Sequence, residues 1–217
     1  MEQQSIDLVQ LFKFSFNQYK KYASFVIGAM LTLYVLAFVP QVYFFLRAPK
    51  NPTQKTDIIS IILTVVQLFL TLGFTKVMLL LVQDAYVEVV DMFNNFRTFL
   101  SFFVASLLYN IAVLLGLFLL IAPGIFIAIR FQFFPYFIIE QGDSSFTALQ
   151  KSYYLSQNLT LELFLFGITV VALNAFGVLL MGIGIIFTYP LTTMATAVIY
   201  KSLTEEADTI PADTFRV

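Results

Sequence analysis

Residues 104–122 read VASLLYNIAVLLGLFLLIA, with no charge and no proline. A helix needs roughly 20 apolar residues to cross the ~30 Å hydrocarbon core of a bilayer, and this run meets that length. A strand of a membrane barrel would alternate apolar and polar positions over about ten residues, and no such alternation is present here. The run therefore reads as a membrane-spanning helix. The whole chain agrees with it: of 217 residues, 59% are hydrophobic and 12% charged, and mean hydropathy is +0.87. A soluble domain is nearer 45–50% apolar and about 25% charged. So few charges cannot cover a water-facing surface, and lipid is the solvent this composition calls for.

Working outward, spans are expected at about 23–46 and 58–82, with the decisive run itself at about 98–121. Ala122-Pro123-Gly124 is expected to break that span, and a short one follows to about Ile139. Two more are expected, one at about 161–187 and one that ends near Tyr200–Lys201, with Pro190 at its start or at a kink within it. Three amphipathic segments punctuate the series. Over 5–22, Ile6, Val9, Phe12, Phe16 and Tyr19 recur at helical spacing, opposite Gln10, Lys13, Asn17 and Lys20. Over 84–97, Val87, Val90 and Phe93 oppose Asp84, Glu88, Asp91 and Asn95. Over 144–157, Phe146, Leu149 and Tyr153 share a side, with Asp143 or Ser144 available as N-cap. Helices of this kind lie in the headgroup plane. With no Trp, the interfacial belt falls to Tyr19, Tyr22, Tyr86, Tyr153, Tyr154 and Tyr200.

The expected fold is an all-α integral membrane protein of about six transmembrane helices. They form three hairpins, each preceded by an amphipathic interfacial helix. One transmembrane domain covers 1–203, with repeat units starting near 5, 84 and 144, and 204–217 is a polar, acidic tail. An even number of spans puts both termini on one side, together with Lys13, Lys20, Lys21, Arg97, Lys151, Lys201 and Arg216. Arg47, Lys50 and Lys55 fall on the other. The positive-inside rule then makes the first side cytoplasmic.

Ala122-Pro123-Gly124-Ile125, Arg130 in the span after it, and Ala148-Leu149-Gln150-Lys151-Ser152 form a recognisable series. With Gly182-Ile183-Gly184, Pro190 and Tyr200, the chain from Gln67 onward resembles bacterial multi-span membrane proteins related to the membrane domain of glycerophosphoryl diester phosphodiesterases. The resemblance implies the six-span fold and a bacterial cytoplasmic (inner) membrane. It implies no catalytic residue, because in those phosphodiesterases catalysis belongs to a separate soluble domain.

The chain has no His and no Cys. It lacks the commonest general base, the commonest transition-metal ligand and any thiolate or disulfide. No cofactor is expected. A net charge of −1, with no clustered basic arm, gives no footprint for nucleic acid. Apart from Glu162 at the very start of the fifth, no Asp or Glu lies within an expected span, so no acid–base pair can assemble in the bilayer and the protein is not expected to be an enzyme.

The candidate residues are the cations inside spans, Lys76 and Arg130. Lys76 lies seven residues before Gln83, about 10 Å from the interface at 1.5 Å per residue. Both read either as snorkelling or packing residues or as contacts to a lipid phosphate or other anion. Gln67, Asn110, Gln132 and Asn174 supply one amide in each of four spans, a pattern that serves most simply as glue between helices. Gly167, Ala172, Ala175, Gly177, Gly182 and Gly184 mark the fifth span as a packing helix, with Gly177, Met181 and Gly184 on one close-approach face. The function expected is a non-enzymatic, lipid-contacting accessory subunit or scaffold of a membrane complex. Its partners would be membrane lipids and other membrane proteins or a second copy. The alternative is a small transporter or channel for an apolar or anionic solute, with Lys76 and Arg130 along the route.

Overall fold

The decisive run lies in a helix from Phe96 to Leu119. The computed structural model describes the backbone of residues 8–47, 55–180 and 184–209, and the side chains of 8–36, 42, 61–180 and 184–205. Among these residues every regular element is helical. The α-helices are α1 (Leu8–Lys21), α2 (Ala23–Arg47), α3 (Lys55–Val82), α4 (Phe96–Leu119), α5 (Ile121–Phe131), α6 (Phe134–Gln141), α7 (Ser145–Leu155), α8 (Thr160–Leu179) and α9 (Ile185–Thr209). Four segments are long and apolar enough to cross a membrane: Ile61–Val82, Phe96–Leu119, Ile121–Gln141 and Thr160–Leu179.

Successive helices pack as pairs, α2 on α3, α4 on α5 and α8 on α9. Two of the three turns are closed by glycines. A Cβ on Gly116 would stand 2.7 Å from the Gly124 Cα, and one on Gly184 would stand 2.7 Å from the Gly177 carbonyl oxygen. Neither pair tolerates a side chain, which is why small residues stand on both sides of each turn. Leu120 alone, extended at φ −162° and ψ 144°, separates α4 from α5. Pro123 then falls in the first turn of α5, where its missing N–H costs nothing.

The centre of the bundle is α9, which packs against α1, α2, α3 and α8. Met194, Ala195, Ala197, Ile199 and Tyr200 are fully buried. Thr192 and Thr193 both donate to the Tyr189 carbonyl, and Thr196 donates to that of Thr192. These hydroxyls are satisfied within their own helix, so a Thr-rich helix can occupy the interior. Around it Tyr200 meets Phe133, Tyr136 and Phe137, and Phe74 stacks on Tyr189.

Five expectations are corrected. Residues 84–97 are not an interfacial helix; they hold only a 3-10 turn, Val89–Met92, before α4 begins. Asp84 takes φ 54°, the left-handed conformation that ends a helix, and the Asp91 carboxylate accepts the Glu88 N–H at 2.8 Å. The segment after Pro123 is not one short helix but two, α5 and α6, broken at Gln132–Phe133 ahead of Pro135. The fifth helix stops at Leu179, so Gly177 and Gly184 face each other across a turn rather than sharing a helix face. Of the two places expected for Pro190 it takes the one within the helix, but α9 runs on to Thr209, so part of the expected tail is helical. On α1 the covered face is Leu11, Ser15, Gln18 and Tyr19, while Val9 and Phe16 are exposed. Ile6, the loop at 48–54, Met181 to Ile183 and Arg216 lie outside the described residues.

Candidate functional site

Lys76 stands on α3 where the 84–95 connector doubles back along that helix. Gly73 makes the approach possible, because a Cβ there would overlap the Met92 carbonyl. Met92 is fully buried against it. Buried Asn95 fixes the connector by donating from Nδ2 to the Met92 carbonyl at 2.8 Å. The Asn94 carbonyl is thereby brought to 3.2 Å from Lys76 Nζ, which donates to it. Beside this contact lies a cavity of about 480 Å³, lined by Lys76, residues 94–98 and Ile139. It brings Arg97, in the first turn of α4, into the same space as Lys76.

Arg130 stands in the last turn of α5 and is 8% exposed. Its guanidinium carbon lies 4.9 Å from the Phe126 ring centroid and 5.3 Å from that of Tyr153. Those π faces attract the cation. Its Nε and Nη1 are buried without a hydrogen-bond partner, and no ion pair among the described residues includes it. Its backbone is better served: the Arg130 carbonyl accepts the Ser152 hydroxyl at 3.0 Å and the Ser156 hydroxyl at 3.2 Å. Ser152 Oγ also accepts the Phe133 N–H at 3.0 Å. Breaking a helix at Gln132 leaves backbone groups unpaired in apolar surroundings, and Ser152 of α7 and Ser156 at its C-cap satisfy them. Fully buried Ala148 shares that helix. Within the Ala148-Leu149-Gln150-Lys151-Ser152 series, Ser152 thus braces the α5–α6 break.

Lys76 and Arg130 are not brought together. They share no contact, and Arg130 does not line the cavity at Lys76. The four amides also separate. Asn174 acts between helices, its Nδ2 donating to Thr192 Oγ1 on α9 at 3.1 Å. Asn110 turns back on its own helix, donating to the Ser106 carbonyl. Gln67 is exposed on α3. Gln132 sits in the break with its Nε2 buried and unpartnered.

Ionic contacts tie the connectors together. Glu140, at the end of α6, accepts Gln83 Nε2 at 2.8 Å and pairs with Lys201 of α9 at 2.9 Å. Asp143 pairs with Lys151 at 2.8 Å, and Ser144 is the N-cap of α7. Asp84 pairs with Lys21 at 2.6 Å and accepts the Tyr22 hydroxyl. The Lys21 ammonium, then the Tyr22 hydroxyl, hold the Asp84 carboxyl below its ordinary value, and the same contacts raise Lys21. The junction of α1 and α2, the end of α3, the end of α6 and the second half of α9 therefore share two linked clusters. Arg97, Asp84 and Glu140 were readable in sequence as charges flanking apolar runs. Their partners were not, since each is more than 50 residues away or belongs to a cavity wall.

Comparison of the chain with protein families, with curated proteins and with solved structures finds no match.

Proposed function

We propose that this chain is a non-enzymatic integral membrane protein, a lipid-contacting accessory subunit or scaffold of a membrane complex. The observation that carries the reading is how little of its apolar surface the chain covers by itself. Only 22% of the best apolar window of α4 and 17% of that of α8 is buried. Their exposed side chains include Leu107, Leu114, Phe118, Val171 and Leu179. These helices present most of their circumference to lipid or to another membrane protein. The absence of His and Cys from the sequence leaves the bilayer interior without the usual groups for acid–base or nucleophilic work. The separate surroundings of Lys76 and Arg130 give a transport route no shared lining.

In this reading the three helix pairs are six spans. The end that carries Lys21, Lys151 and Lys201 faces the cytoplasm, as the positive-inside rule requires. The kinship with the phosphodiesterase membrane domain belongs to the same reading.

Native purification in lipid discs, with mass spectrometry of everything retained, tests the reading. A protein partner at fixed stoichiometry together with bound lipid is the expected result. A chain recovered alone and stripped of lipid would contradict it.

A further inference from the structure

We infer that the cavity between α3, the start of α4 and the last turn of α6 takes a phosphate group, carried on a phospholipid headgroup or free in solution. The inference rests on the lipid-contacting reading and names the chemistry of one contact. Lys76 and Arg97 both line the cavity, and no carboxylate does so among the described residues. Lys76 uses one N–H on the Asn94 carbonyl, which leaves two donors of its ammonium. Arg97 forms no ion pair among the described residues. A guanidinium fork beside an ammonium is a donor set that matches phosphate oxygens.

The volume, about 480 Å³, exceeds a bare phosphate ion and falls in the range of pockets that hold small organic ligands. The rim points toward a headgroup. Phe96 lines the cavity and is 79% exposed. Below it Leu100, Leu107, Ile111 and Leu114 continue as exposed apolar positions along α4. Their spacing of three, four or seven residues keeps them on one side of the helix. A phosphate held by Lys76 and Arg97 would thus have an apolar track beside it for acyl chains. The start of α4 carries no side-chain cap, so its unpaired N–H groups and positive helix end add to the same field.

The test titrates the delipidated full-length chain in neutral detergent with short-chain phosphatidylglycerol and, separately, with inorganic phosphate, read by calorimetry and native mass spectrometry. Wild type, the conservative K76R/R97K and the distant control K20Q should bind one equivalent alike. K76Q/R97Q should bind about tenfold or more weakly, the loss expected for charge-assisted hydrogen bonds. Tighter binding of the lipid assigns the cavity to a headgroup, and equal binding of inorganic phosphate assigns it to the free anion; both support the inference. No saturable binding by wild type, or unchanged binding by a folded K76Q/R97Q, would overturn it. Unchanged binding by that variant, with lipid still retained in discs, would leave the lipid-contacting reading standing. Loss of all lipid from wild type in discs would remove the reading itself.

Discussion

At Ser152 one hydroxyl serves two backbone groups, donating to the Arg130 carbonyl and accepting from the Phe133 N–H. Ser152→Ala should leave that buried N–H unsatisfied and cost about 1–3 kcal/mol, read as a lower thermal midpoint in detergent. An unchanged midpoint would mean the break at Gln132 needs no brace. Arg130 has the opposite balance. Two of its buried nitrogens have no partner, and replacing a poorly satisfied buried charge with an apolar side chain of similar size is often neutral or stabilising. Arg130→Met should therefore melt at or above the wild-type temperature. A marked fall would show that the contacts with Phe126 and Tyr153 outweigh the unpaired donors. The Asp84–Lys21 pair is exposed and correspondingly weak. With the Asp84 carboxyl lowered and the Lys21 ammonium raised, its contribution is fully present between their ordinary values, about 3.9 and 10.4. It is lost as pH falls through the folded value of Asp84 or rises through that of Lys21. Proteolytic release of α1 should thus be flat with pH through neutrality and increase below about pH 4. Asp84→Asn should raise it through neutrality and make little difference where the wild-type carboxyl is already protonated.

At the scale of elements, the turns depend on glycine in a way that separates one glycine from another. Gly177→Leu should disrupt the α8–α9 pair, because even a Cβ there meets Thr188 Oγ1 and the Gly184 backbone. Gly28→Ala meets nothing within 4 Å and should be close to neutral; comparing helical content and melting of the two variants checks this. The long helices were legible because lipid imposes a simple rule: a charge-free run of about 20 residues spans. The 3-10 connector differs from the expected helix although Val87, Val90 and Phe93 recur at helical spacing, because Asp84 turns the chain at φ 54° and the Asp91 carboxylate takes up the Glu88 N–H. The break before α6 left one signal, Pro135, which falls in the first turn of the new helix. Of the candidate site, Lys76 and Arg130 were visible as cations in apolar sequence. The cavity was not, because it depends on a connector that folds back onto Gly73.

On the scale of the whole molecule, the least apolar long helix lies innermost and the most apolar ones lie outermost. The order inverts that of a water-soluble bundle and follows from the solvent. Lipid gives apolar side chains no reason to hide, whereas Thr and Asn gain from partners inside. The Asn174–Thr192 contact ties α8 to α9, and the pairs at Glu140 and Asp84 gather the connectors at shared clusters. A membrane bundle with the 84–95 and 156–159 connectors on one side and the 48–54 loop on the other can be tested directly, because the sequence has no native cysteine. Single cysteines placed at Tyr86, Gln157 and Asn51 can be probed with a membrane-impermeant thiol reagent on intact cells and on inverted vesicles. Positions 86 and 157 should label together from the cytoplasmic side and position 51 only from the other. Labelling of 86 and 157 from opposite sides, or of 51 together with 86, would contradict it.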